Sequence, residues 1–155
     1  MKTVFLGMSN PQGNPPLSLE PKGGAGWRLH QLAEEGLGRP IPVISWRGTF
    51  HFTNMLPGRE WSYAKAKEAA PMLLEGLRGR RLVCLGGGVL AALRLPGVLP
   101  CAWGHSVAED RRVITYALVP HPSGRNRFYN DPVQRGLVAK FLSGLYLQAL
   151  EELGT

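Results

Sequence analysis

Cysteine is scarce in this chain: Cys84 and Cys101 are the only two among 155 residues. Two thiols build neither a disulfide framework nor, unaided, a zinc or iron–sulfur site. They suit a reducing cytoplasm. No apolar run is long enough to cross a bilayer, and the first apolar segment follows the N-terminus without a cleavable signal pattern. A cytoplasmic protein with no membrane partner is therefore expected. Acidic residues are also few, 11 against 18 Lys and Arg, for a net charge of +7. That surplus points to a polyanionic partner, nucleic acid before membrane, because no basic amphipathic helix is evident. The basic residues are dispersed, in pairs such as Arg80-Arg81 and Arg111-Arg112. Charge thus suggests a class of partner and says nothing of a site.

Several complete motifs are missing as well. Gly86-Gly87-Gly88 follows an apolar segment, but it has neither a full G-x-G-x-x-G pattern nor a P-loop lysine, so it reads first as a tight turn between strand and helix. His51 and His105 have no second histidine or carboxylate at metal-ligand spacing, which leaves them as structural or surface residues. Ser123 has no nucleophile elbow around it. No metal and no cofactor is expected.

What remains is 44% hydrophobic residues, enough for one domain over residues 1–155 with a real core. Short apolar segments predict strands at residues 3–7, 49–56, 81–85 and 112–119. Residues 42–46 read as a short strand or extended turn, and 103–106 as a segment leading into a turn at Glu109-Asp110. Helical spacing covers 27–35, 62–77 (with Pro71 as a possible kink), 89–93 and a terminal stretch from Asn130 or Asp131 to about Glu152. Strand and helix alternate, which predicts an α/β fold: three layers, α/β/α, around a mostly parallel four-stranded sheet. In such a sheet the loops after residues 7, 53, 85 and 119 converge on one edge.

Two of those loops carry unusual chemistry. The first, residues 9–26, is long and rich in Gly and Pro, and long loops in compact domains are usually functional. The other holds His121 between Pro120 and Pro122, which fix the backbone on both sides and remove two amide donors. An imidazole held this way suits a hydrogen-bonding or electrostatic role.

Gly7-Met8-Ser9-Asn10-Pro11 resembles the first motif of the uracil-DNA glycosylase superfamily, and His121-Pro122-Ser123-Gly124 resembles its second. The first is similar to the Gly-x-Asn-Pro form of the mismatch-specific and single-strand-selective branches. Residues 24–32 and 80–86 are similar to the helix after the first motif and to the third-strand segment. Ser9 adds a residue to the first motif, Gln12 stands where the family has glycine or tyrosine, and Arg125 stands at the position of the intercalating leucine. The cluster-binding cysteines of some branches are missing.

The resemblance implies a monomeric enzyme that flips one nucleotide from DNA and cleaves its base–sugar bond. Asn10 would place the water, and His121 would stabilise charge on the departing base. Asn54 would read the base edge, with Trp27 or Phe52 as the stacking aromatic. Ser123, Gly124, Arg125 and Asn126, together with Gly86 and Gly88, would contact DNA. A member with altered chemistry on a modified nucleotide, and a non-catalytic DNA-binding derivative, are the alternatives.

Overall fold

The computed structural model describes residues 2–9, 15–58, 60–108 and 110–154. Strands β1 (Val4–Gly7), β2 (His51–Asn54), β3 (Leu82–Leu85), β4 (Gly104–Val107) and β5 (Val113–Val119) form one sheet in the order β2-β1-β3-β5-β4. The first four in that order are parallel neighbours, and β4 pairs antiparallel with β5. Among the described residues the helices are α1 (Ala25–Leu37), α2 (Val43–Thr49), α3 (Tyr63–Gly76), α4 (Gly87–Ala92) and α5 (Pro132–Leu153), with a 3-10 turn at Arg127–Asn130 before α5.

The apolar runs of β1 and β3 are buried at every residue, as central parallel strands must be when both faces are covered. Alternate side chains serve alternate layers. Val4, Leu6, Leu82, Cys84 and Tyr116 pack with α3 and α4. Phe5, Val83, Leu85 and Val119 pack with α1, α2 and α5 around Trp46 and Leu142. The α/β/α layering read from the sequence is what the structure has.

Two expectations are corrected. The sheet has five strands rather than four, because residues 104–107 turn back as a hairpin partner of β5. This segment lies at the sheet edge with exposed and half-buried residues alternating, so it carries no apolar run to announce it. Residues 43–49 are helical, not extended. Pro42 precedes the first turn, where its fixed φ costs nothing. Burial of Trp46 and Thr49 three residues apart, with Thr49 Oγ1 donating to the Ser45 carbonyl at 2.5 Å, holds that helix. Elsewhere local signals held. Ser62 Oγ caps α3, the Asp131 carboxylate caps α5 through the Val133 amide at 2.9 Å, and α3 continues through Pro71 on its exposed side.

Helices α1 and α5 lie against each other closely enough that a Cβ on Gly36 would collide with the carbonyl oxygen of Ala139 and stand 2.8 Å from Ser143 Oγ. The Arg135–Glu35 pair clasps the same two helices. Gly36→Ala should therefore cost about 1–3 kcal/mol by overpacking. Gly144→Ala, in open space within α5, should be neutral or stabilise by up to about 1 kcal/mol. Urea midpoints of the two variants check the contrast; equal shifts would contradict the packing.

Candidate active site at the strand ends

β1, β2, β3 and β5 run in the same direction, so the chain leaves all four on one edge of the sheet. The connection from β1 to β2 lies on the α1–α2 side, whereas that from β2 to β3 crosses on the α3 side. The ends of β1 and β3 thus flank the topological switch point, where open α/β sheets form a crevice.

The β1 end is Gly7, paired in register with Asn54 at the end of β2. The Asn54 carboxamide oxygen lies across the Gly7 backbone, in the space that any side chain there would fill. Leu17 closes the cluster from the long loop, its Cδ2 3.4 Å from the same space. Leu17 is left-handed, with φ 54°, a costly conformation for a branched residue that surrounding structure must impose. Arg47 imposes it: its terminal nitrogen donates to the Pro16 and Leu17 carbonyls at 3.1 and 2.9 Å. Gly26 admits the Leu17 carbonyl against the start of α1. The Arg47 guanidinium also lies 4.2 Å above the Phe52 ring.

The β3 end is Gly86, with φ 103° and ψ 154°, in a region essentially reserved for glycine. Its Cα faces His121, whose Cβ lies 3.4 Å from where a Gly86 Cβ would be. His121 follows β5, and its carbonyl accepts from the Ser123 amide at 2.8 Å and from Asn126 Nδ2 at 3.0 Å. The Pro120 carbonyl accepts from the Tyr129 hydroxyl, a phenol whose pKa burial pushes up. The turn is thus held from three sides while the imidazole stays half-buried. Burial holds its pKa below the ordinary 6.5, so it is neutral at neutral pH. Among the described residues, neither His121 ring nitrogen nor the Asn54 carboxamide has a hydrogen-bond partner.

The other expected site residues are distributed as follows. Gly88 stands in the first turn of α4 beside Met8 and Trp61. Ser123 and Asn126 are engaged within the turn: Ser123 Oγ accepts from the Arg125 amide, and Asn126 Oδ1 accepts from the Phe128 amide. Gly124 and Arg125 are exposed. Phe52 is 9% exposed and stacks on Phe5 within the core, and Trp27 lines a separate groove with Leu19 and Glu34. Neither aromatic joins the His121 cluster. Asn10 lies outside the described residues.

Leu17 and Trp61 were not singled out by the sequence. Trp61, half-buried 3.6 Å from the Gly88 position, follows a strand end, and that was the available signal. Leu17 had none, since its placement depends on Arg47, 30 residues away. Neither thiol ionises at neutral pH: burial pushes Cys84 up to about 12 and Cys101 to about 11.

A lowered histidine pKa fixes the sign of a pH effect. Between the native pKa and 6.5 the unfolded chain binds the proton and the folded chain does not. Stability from neutral His121 is therefore complete above 6.5 and is lost as pH falls toward the native value. His51, also lowered, acts in the same direction, so His121→Gln should flatten the dependence in part. Gly86→Ala should cost about 1–3 kcal/mol through backbone strain and should shift the His121 ring resonances. NMR titration and urea unfolding above and below pH 6.5 check both expectations; a His121 titrating above 6.5 would refute the first.

No protein-family model matches the chain, and no curated protein matches it.

Proposed function

We propose that this protein is a DNA glycosylase that hydrolyses the N-glycosidic bond of uracil, or a related damaged base, flipped out of the strand. One observation carries the reading. A neutral, proline-flanked imidazole and a carboxamide, both without partners among the described residues, stand at the ends of parallel strands of one sheet. Three strand spacings of about 4.8 Å separate their backbones, roughly 14 Å, and two glycines floor the gap between them. That span leaves room for a flat ring reached from both sides.

The chemistry follows from charge. As the bond from the sugar carbon to the base nitrogen breaks, its electron pair leaves with the base, and the sugar becomes cationic. Water adds to that carbon, loses a proton and leaves a hydroxyl. The base finally departs carrying one proton. His121 donates a hydrogen bond from one neutral ring nitrogen to the oxygen that gains charge, a preorganised donor in a partly dry site. Asn54 offers donor and acceptor together, the complement of an imide edge. Leu17 gives the ring an apolar surface. Asn10, in the segment after β1, holds the water by hydrogen bonding. An amide does not take up the proton as a carboxylate does, so slow turnover is expected. The surplus of cations favours a polyanionic substrate.

Base release from labelled oligonucleotides carrying uracil, alone or opposite guanine or adenine, tests the reading. His121→Ala should lower the rate by about 10²–10³, the usual effect of removing such a donor. Asn10→Ala should also abolish most release, and neither change should weaken strand binding much. No release from any substrate, with binding intact, would favour a non-catalytic DNA-binding role. Neither release nor binding would end the nucleic-acid reading.

A further inference from the structure

Behind the His121 turn, a cavity of about 80 Å³ opens between α1 and the beginning of α5. Arg28 and Gln31 of α1, Ser123 and Gly124 of the turn, and Asn130 and Arg135 supply its polar wall. Among the described residues no carboxylate lines it. Arg135 is already answered by Glu35, with contacts of 2.9 and 2.5 Å. Arg28 is not: among the described residues no Asp or Glu pairs with it. Its Nε donates to the Gly23 carbonyl at 3.0 Å, which orients the guanidinium and leaves its two terminal nitrogens outside that bond. One of them lies 2.7 Å from where a Cβ on Gly124 would stand. Glycine at 124 is what lets the cation lie against the loop.

A small cavity walled by side-chain donors, with one uncompensated guanidinium oriented from behind, has the chemistry of an oxyanion site. The planar fork of arginine matches two oxygens of a phosphate at once. The volume also exceeds what a single ordered water requires. We propose that this cavity binds a phosphate group with Arg28 as its central cation. Its assignment to a phosphodiester of the bound strand rests on the reading above. Ser123 and Gly124 belong to the same short turn as His121, so an occupied site would also fix the imidazole in place.

The test is strand affinity as a function of salt, by fluorescence anisotropy on a single-stranded uracil oligonucleotide. Arg28→Gln is compared with Arg94→Gln, an equal change of charge at an exposed position beyond α4. Removing one phosphate contact should reduce the slope of log affinity against log salt by about one. We expect this for Arg28→Gln alone, with Arg28→Lys restoring charge but not the fork. Circular dichroism melts in sodium phosphate and in sodium chloride at matched ionic strength give the second arm. A melting temperature raised by phosphate in wild type and not in Arg28→Gln supports the site, whatever the oligonucleotide does. If the slope is unchanged but phosphate stabilises in this way, the site holds a free phosphate group and the phosphodiester assignment is overturned. An unchanged slope with no phosphate effect overturns the site itself. Base release is scored separately. Strand binding with the expected slope but no release would sink the glycosylase reading and leave the phosphate site standing.

Discussion

Parallel pairing of β3 with both β1 and β5 is the constraint on which the rest of this molecule depends. It brings Gly86 and His121 to adjacent strand ends, and Gly7 and Asn54 to the neighbouring pair, with no further device needed to align them. The pairing also explains the interior. Strands covered on both faces need apolar residues at every position, and Val4, Phe5 and Leu6 together with Leu82, Val83, Cys84 and Leu85 meet that need. The cost is that polar function must wait for the first residues beyond the strands. Every group in the candidate site obeys this rule: it ends a strand or follows one closely, except Leu17, which is drawn back from a loop by Arg47.

The turn after β5 shows how hydrogen bonds to the backbone hold an imidazole in place. Prolines on both sides remove two backbone freedoms and two donors. The carbonyls they leave are then satisfied from further along the chain, Pro120 by Tyr129 and His121 by Asn126. Asn126 bonds in both directions, its nitrogen to His121 and its oxygen to the Phe128 amide. The turn is thus tied to the start of the 3-10 segment Arg127–Asn130. With no acid among the described residues beside it and partial burial around it, the ring keeps its neutral form. A charged histidine would need a carboxylate to stabilise it. This one needs only exclusion from water.

Much of this was legible in the sequence, for identifiable reasons. β1, β3 and β5 are apolar runs ended by turn residues, and α5 announces itself through Asp131-Pro132. The convergence of four loops follows from the alternation of strand and helix alone. β4 was missed because an edge strand with one solvent face and only four residues leaves almost no pattern. α2 was missed because Ile and Val near Pro42 favour extension locally, while burial of Trp46 decides otherwise. The aromatic candidates show a different limit. Phe52 pairs in register with Phe5, two residues before Asn54 and on the same face of the sheet. Along that face, whether a side chain is core or site depends on where the helices stop covering it, and composition does not encode that.

On the proposed reading, Leu17 alters the balance of forces at the site. An aromatic platform gives a base a face to stack on, worth about 1–3 kcal/mol per base and nearly indifferent to its identity. A leucine offers apolar contact without a π-face. Discrimination must then come from groups that would be left unpaired by the wrong ring, and buried polar groups reject a mismatch far more strongly than apolar ones do. Asn54 and His121, both half-buried, are the polar groups placed for that task. The left-handed Leu17, the strap from Arg47 and the absence of a side chain at Gly7 together let Leu17 and the carboxamide converge on the same space above Gly7. Under the proposed reading, recognition in this site rests on its two polar strand ends more than on stacking, so their geometry has to be rigid before substrate arrives.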